Sequence, residues 1–242
     1  MNNAVYFHNI KLSGLTREDI FNDFTKFKHV ITVNAEFIVE AQKKDQLFNI
    51  INSNVATIDG QVPFLILKLK YLFNPVIFKK ISGSDLIYDI LNIANKECLS
   101  VFLLGGNEKS NRMSILKIKR TYPKLRVDGF SPCYQPYPFD KTHNDSIIKE
   151  ISIFKPDILL VGFGAKKQEL WIDDNRTFLI SNNVKLAIGV GGTFEMYAGL
   201  IKRAPLVIQK LCLEGVYRLI VEPKYFRFKR LIKSFKILFY IR

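Results

Sequence analysis

The chain has 242 residues, 48% of them hydrophobic, and 36 Lys and Arg against 22 Asp and Glu leave a net charge of +14. That length suits one large α/β core better than two independent domains. The charge calls for an anionic partner: nucleic acid, anionic lipid or a phosphorylated substrate. Cys98, Cys133 and Cys212 lie far apart with no CxxC pair, which argues against a zinc site or disulfide scaffold and fits a reducing cytoplasm.

The opening MNNAVYFHNIKLSG has no basic start followed by a long apolar run, so no signal peptide is expected. No apolar stretch reaches the length of a bilayer-spanning helix, and the expected protein is soluble or peripheral. In chain order, strands are expected at HVITV (29–33), VATI (55–58), VFLL (101–104), LRVDGF (125–130), DILLVGF (157–163) and VKLAIGV (184–190). Helical periodicity falls near 34–53, 62–72, 84–96, 107–121, 143–154 and 166–181. This alternation predicts a Rossmann-like, mostly parallel sheet with helices on both faces. The loop 131–140, with three prolines, reads as a rigid surface excursion rather than a lid. The α/β domain is expected over 1–204. A basic amphipathic helical appendage over 205–242 follows, split by Pro223.

From Lys202 onward eleven basic residues face two acids, Glu214 and Glu222, so +9 of the +14 lies in that segment. Phe228, Leu231, Ile232, Phe235, Leu238 and Phe239 follow helical spacing, with Lys229, Lys233 and Lys236 opposite. An interfacial membrane helix reads this way, and so does an amphipathic helix packed on the domain. Lys210, Glu214 and Arg218 at i+4 steps also fit a salt-bridged helix face.

Ligands of parallel α/β sheets bind beyond the carboxyl ends of the strands. Five strand ends there carry polar or glycine-rich sequence: Thr32 and Asn34; Asp59, Gly60 and Gln61; Gly105 and Gly106; Gly164, Lys167, Gln168 and Glu169; Gly191, Gly192 and Glu195. Each glycine alone fits an ordinary βα turn; five such ends on one edge point to a phosphorylated ligand. The chain has no GxxxxGK[ST], and VGFGAKKQE lacks the third glycine of a dinucleotide fingerprint. It also lacks an Asp-x-Asp pair, so Lys and Arg are expected to neutralise phosphate charge without a metal. Asp59, between an apolar strand and a glycine, is the candidate general base, although an Asx-turn capping the next helix explains its position almost as well. Glu195 is the second acidic candidate. His8, His29 and His143 fall outside the strand ends and read as structural or solvent-facing.

Taken together, TVNAEFI (32–38), IDGQ (58–61), ISGSDLI (81–87), VFLLGG (101–106), YPKLRV (122–127), PDILLVGFGAKKQELWI (156–172), IGVGGTFEMYAGLIKRAP (188–205) and LEGVYRLIVEP (213–223) resemble the WecG/TagA/CpsF glycosyltransferase family. That resemblance implies a metal-independent, inverting transfer from a UDP-sugar to a polyprenyl-diphosphate-linked saccharide. N-acetylmannosamine leads among the sugars. The setting would be bacterial surface polysaccharide synthesis at the cytoplasmic face of the plasma membrane, with no cofactor. It makes Asp59 the general base, and Thr32 and Gln168 site residues. The matching motifs add Ser84, Asp85 and Arg203 to the substrate-binding set, and Arg218, Arg227 and Arg230 to an acceptor, diphosphate or membrane set. The expected partners are UDP-sugar, lipid-linked acceptor and an anionic membrane surface; a homo-oligomer is compatible. Three positions depart from the family pattern: Ala165 replaces a proline, Glu195 an aspartate, and Gly215 an aromatic residue, which predicts a bend near Arg218. The rival class is a basic nucleic-acid- or membrane-binding scaffold without catalysis. No nucleic-acid-binding module is recognisable, and the aromatics of the tail follow a helical stripe, so nucleic acid is not expected as a partner.

Overall fold

The computed structural model describes residues 4–74, 76–202, 204, 205, 207, 208, 211, 213–221, 223 and 225–240, with the side chains at 218, 226, 227 and 230 outside that description. A six-stranded sheet has the order β4-β3-β8-β7-β5-β6, in which β3 with β8, β8 with β7, β7 with β5 and β5 with β6 pair in parallel. Its strands are β3 (Lys28–Val33), β4 (Val55–Ile58), β5 (Val101–Gly105), β6 (Val127–Phe130), β7 (Ile158–Gly162) and β8 (Leu186–Gly189). The expected α/β class is thus observed, with every strand bound within two residues of the sequence reading.

The chain divides into two compact units, one of residues 1–22, 31–82 and 202–242, the other of 23–30 and 83–201. The first holds a two-stranded hairpin, β1 (Val5–Phe7) and β2 (Ile10–Leu12), and α1 (Arg17–Phe21), none of which the periodicity announces. Its strand–helix run is β3, α2 (Ala35–Ala41), α3 (Gln46–Ser53), β4 and α4 (Gln61–Lys70). The single helix expected over 34–53 is two helices. Lys44 takes φ 54°, a left-handed conformation that ends α2, and Asp45 then caps α3 by accepting the Leu47 N–H at 3.1 Å.

The basic tail packs within this unit. Its helices are α11 (Glu214–Val221) and α12 (Tyr225–Phe235), separated at Pro223 as expected and followed by a 3-10 turn, Lys236–Tyr240. Gly215 does not bend the chain: α11 runs unbroken through Val221 because Gly215 sits in its first turn, where N–H groups lack intrahelical partners in any case. Helix α12 lies on α2, where the buried Glu40 carboxylate meets the ammonium groups of Lys43, at 3.3 Å, and Lys233. Ile237 is buried, whereas Phe228, Ile232, Phe235, Leu238 and Phe239 stay about half exposed or more. A cleft of about 520 Å³ opens between α2 and α12, edged by Lys43, Lys229, Lys233 and Lys236.

The second unit contains α5 (Gly83–Lys96), β5, α6 (Glu108–Thr121), β6, α7 (Lys141–Phe154), β7, α8 (Lys167–Asp174), α9 (Arg176–Ser181), β8 and α10 (Thr193–Tyr197). Alternate residues of its strands, Phe102, Leu104, Leu159, Val161 and Ala187, join Ile147, Ile151, Trp171 and Leu179 of α7, α8 and α9 in one core. Helix α6 carries the chain outward from β5 to β6, whereas α8 and α9 carry it from β7 back to β8. Right-handed crossovers running in opposite directions place their helices on opposite faces. On the α6 face, Ser114 Oγ donates to the Phe194 carbonyl at 3.1 Å and Lys117 Nζ to the Tyr197 carbonyl at 2.8 Å, fastening α10 to α6. The helix expected over 166–181 is divided at Asn175 into α8 and α9.

His29, on β3 in this unit, is structural as expected, and neither ring nitrogen has a hydrogen-bond partner among the described residues. Burial, reinforced by Arg176, depresses its pKa from 6.5 to about 3. Unfolding therefore takes up a proton between those values, and stability present above pH 6.5 is lost as pH falls toward 3. Thermal melts from pH 7 to 5 should show a steeper loss in the parent than in His29→Leu, by up to about 1.4 kcal/mol per pH unit.

Candidate active site

In the first unit, the ends of β3 and β4 are joined by the Asp59 N–H, which donates to the Val33 carbonyl at 2.9 Å. That bond brings Thr32, Asn34, Asp59, Gly60 and Gln61 together. Thr32 is buried and Asp59 half-buried at the mouth of the strand pair. Asn34 caps α2, its side-chain oxygen accepting the Phe37 N–H at 3.1 Å. Gly60 occupies the N-cap of α4 with φ 87°, and a Cβ there would meet only Pro63 Cδ at 3.6 Å, so conformation and not space demands glycine. Gln61 then opens α4, and Pro63 is tolerated because it falls in the first turn. On its other side, β4 is fixed by the Ile81 N–H donating to the Ile58 carbonyl at 2.7 Å.

In the second unit, the connections from β5 and β7 diverge, which makes their carboxyl ends a topological switch point, where sheets of this class hold ligands. The lining is backbone. Gly105 and Gly106 take φ 85° and 71°, and the Gly106 N–H donates to the Gly162 carbonyl at 2.9 Å. Across the crevice Gly164 takes φ 89° with open space where a Cβ would stand, and Lys166 follows at φ 70°. The first turns of α6 and α8 thus flank the crevice with N–H groups suited to an anion. Lys167 adds an ammonium group, placed 4.5 Å over the Tyr134 ring and 3.4 Å from its hydroxyl. The 131–140 loop is irregular as expected and rests on this edge: Phe139 stacks edge-on against Phe163, and Phe163 against Trp171.

Gln168 and Glu169, though polar, are only 4% and 1% exposed. The Gln168 side-chain oxygen accepts the Gly191 N–H at 3.1 Å, and its Nε2 donates to Glu169 Oε1 at 2.8 Å. The pair therefore latches the start of α8 to the loop after β8. Gly189 makes the latch possible, since a Cβ on it would stand 2.3 Å from Gln168 Nε2 and 2.4 Å from Glu169 Oε1. Beyond the latch, Gly191 takes φ 53° and Gly192 caps α10. Glu195 folds back toward Gly192, and its Oε2 is buried without a hydrogen-bond partner among the described residues. Ser84 and Asp85 lie in the first turn of α5, both half-buried. Arg203 falls outside the described residues. Arg218 stands on α11, and Arg227 and Arg230 on α12, with their side chains outside the description.

Several supporting residues are invisible to motif reading. Phe194 is fully buried and wedges against the bare Cα atoms of Gly106 and Gly162, where added Cβ atoms would stand 2.8 and 2.9 Å from its ring. The Asn111 amide donates to the carbonyls of Leu103 and Gly105 at 2.9 and 2.8 Å, and Ser131 Oγ donates to Gly105 at 3.1 Å. The glycines after β5 and β7 are the only sequence signal of such close packing.

The model of the glycosyl transferase WecG/TagA/CpsF family matches residues 5–242. The chain belongs to that family. It is 31% identical over 204 residues to the N-acetylglucosaminyldiphosphoundecaprenol N-acetyl-beta-D-mannosaminyltransferase of Bacillus subtilis (strain 168), covering 84% of this chain and 74% of the relative. It is 30% identical over 220 residues to the enzyme of that name from Staphylococcus aureus (strain MRSA252), covering 90% of this chain and 81% of the relative. The WecG/TagA/CpsF member described here is thus a glycosyltransferase, and the non-catalytic scaffold reading is set aside. Among its described residues no helix is long and apolar enough to cross a membrane.

Proposed function

We propose that the enzyme transfers N-acetylmannosamine from UDP to a polyprenyl-diphosphate-linked N-acetylglucosamine at the membrane surface, in the synthesis of a surface polysaccharide. The observation that carries this reading is the likeness, across 84% of the chain, to a transferase whose name states that sugar and that acceptor. Asp59 takes the proton of the attacking acceptor hydroxyl as the new glycosidic bond forms. UDP departs with the electrons of the broken anomeric bond, so one displacement inverts the configuration. The backbone N–H groups at the switch point, with Lys167, suit the charge of a diphosphate. The latch formed by Gln168 and Glu169 holds that wall in place.

A donor screen with full-length protein and a short-chain diphospholipid acceptor, reading released UDP, tests the proposal. UDP-N-acetylmannosamine should release UDP only when acceptor is present; silence with every UDP-sugar contradicts it. In this reading Lys and Arg balance the diphosphate charge without a metal. The rate should accordingly survive EDTA; collapse with recovery on adding magnesium or manganese would contradict this part.

The exposed apolar stripe of α12 and the +9 charge from residue 202 onward support contact of the tail with anionic lipid at the inner face of the plasma membrane. Arg203, Arg218, Arg227 and Arg230 are assigned to diphosphate oxygens of donor or acceptor, where a guanidinium can bond two at once. Arg227→Ala should keep vesicle binding and lower the rate, and truncation after Pro205 should abolish transfer even to a water-soluble acceptor analogue. Full-rate transfer by the truncated chain would reduce the tail to an anchor.

A further inference from the structure

Helix α4 and the turn after it expose large apolar side chains outside the tail. Leu65, Leu69 and Leu72 fall at i, i+4 and i+7 and are 42%, 74% and 63% exposed; Phe73 and Ile77 follow at 95% and 79%. Only Pro63 and Leu67 of α4 are buried. The segment is held firmly enough to keep those side chains outward. Phe78 stacks edge-on against Phe64 at 5.8 Å and Tyr71 at 6.3 Å, and the Tyr71 hydroxyl accepts the Tyr6 N–H at 2.8 Å. So many large apolar side chains exposed on one short segment mark an interaction site.

Charge decides what covers it. Lys68, Lys70 and Lys79 are exposed beside the apolar groups, and the sequence has no acidic residue between Asp59 and Asp85. A second copy docking face to face would set these lysines against their own counterparts. Nucleic acid would leave Leu69, Leu72 and Phe73 in water. An anionic bilayer satisfies both features, because apolar side chains enter the acyl boundary while lysines meet phosphate headgroups.

We infer that the α4 tip, Leu65 to Ile77, is a lipid-docking surface separate from the basic tail, taking anionic phospholipid. Both ends of this segment are fastened to β4, through Gly60 at the N-cap of α4 and through the Ile81–Ile58 hydrogen bond. Ten residues of helix span about 15 Å, so docking sets Asp59 at a fixed height above the headgroups. The docking stands on exposure and charge alone; its use, presenting a lipid-linked acceptor to Asp59, rests on the proposed function.

The test uses the full chain and phosphatidylglycerol-containing vesicles. Leu69→Gln, Leu72→Gln and Phe73→Gln together alter only exposed side chains. The triple variant should bind vesicles roughly tenfold or more weakly, slow transfer to vesicle-borne acceptor and leave transfer to a soluble acceptor unchanged. Phe73→Trp gives a second reading, since Trp171, the sole native tryptophan, is 1% exposed and supplies a constant background. Its emission should shift to the blue on vesicles and be quenched by brominated lipid. Unchanged vesicle binding of the triple variant, or emission that stays water-like while the protein sediments with vesicles, overturns the inference. A triple variant altered only in oligomeric state overturns it in favour of a second copy. Docking of Phe73→Trp without turnover of any UDP-sugar supports the surface while rejecting the proposed reaction.

Discussion

Asp59→Asn is expected to lower turnover by about 10²–10⁴-fold, the usual contribution of a positioned general base. The amide matches the carboxylate in size but cannot take the acceptor hydroxyl's proton. Three backbone features that shape this corner do not use the side chain and survive the change: the Asp59 N–H to Val33, the Ile81 N–H to Ile58, and the left-handed Gly60. Affinity for UDP, measured by calorimetry, should therefore stay within about threefold while kcat falls. Near-parental kcat in the variant removes Asp59 from the chemistry.

Gly189→Ala is expected to cost about 10²-fold in kcat from a position that touches no substrate. Its Cβ would enter a space already held by the buried Gln168 and Glu169 side chains, at 2.3 and 2.4 Å. Neither is a surface group free to swing away, so Gln168 must give up the Gly191 N–H and the α8 end of the crevice must shift. Displacements of about 1 Å near a reacting centre cost on this scale, and overpacking costs about 1–3 kcal/mol of stability. Gly164→Ala is the contrast. Nothing lies within 4 Å of its would-be Cβ, so only the strain of φ 89° is incurred. A Gly189→Ala enzyme with parental kcat would show that the latch does not position the site.

Much of this architecture is legible in the sequence. Runs such as ILLV and VFLL are apolar because β7 and β5 are buried on both faces, and VATI coincides with β4. A parallel sheet dictates where to look for candidate site residues, and the glycines and Asp59 stand at those strand ends. What escaped depended on tertiary contacts or on turns without a marker. The β1–β2 hairpin has three-residue strands, too short for alternation to register, and it turns at His8, φ 52°, without a glycine. Lys44 ends α2 in the same unmarked way. Nothing in the local sequence marks Glu40 as buried, because its partner Lys233 in the tail lies 193 residues further on. KKQE stands at a strand end where a ligand-binding role is expected, but its burial does not show in the sequence: Gly189, on another strand, leaves the room in which Gln168 and Glu169 are buried.

The lipid product itself carries the central claim. Full-length protein on phosphatidylglycerol-containing vesicles, given UDP-N-acetylmannosamine and a short-chain N-acetylglucosaminyl diphospholipid, can be followed by mass spectrometry of the extracted lipid. The account predicts an acceptor enlarged by one N-acetylhexosamine, with one UDP released for each sugar added and the new linkage β by NMR. An unmodified acceptor from well-folded protein, with the UDP-sugar intact or merely hydrolysed, would contradict it.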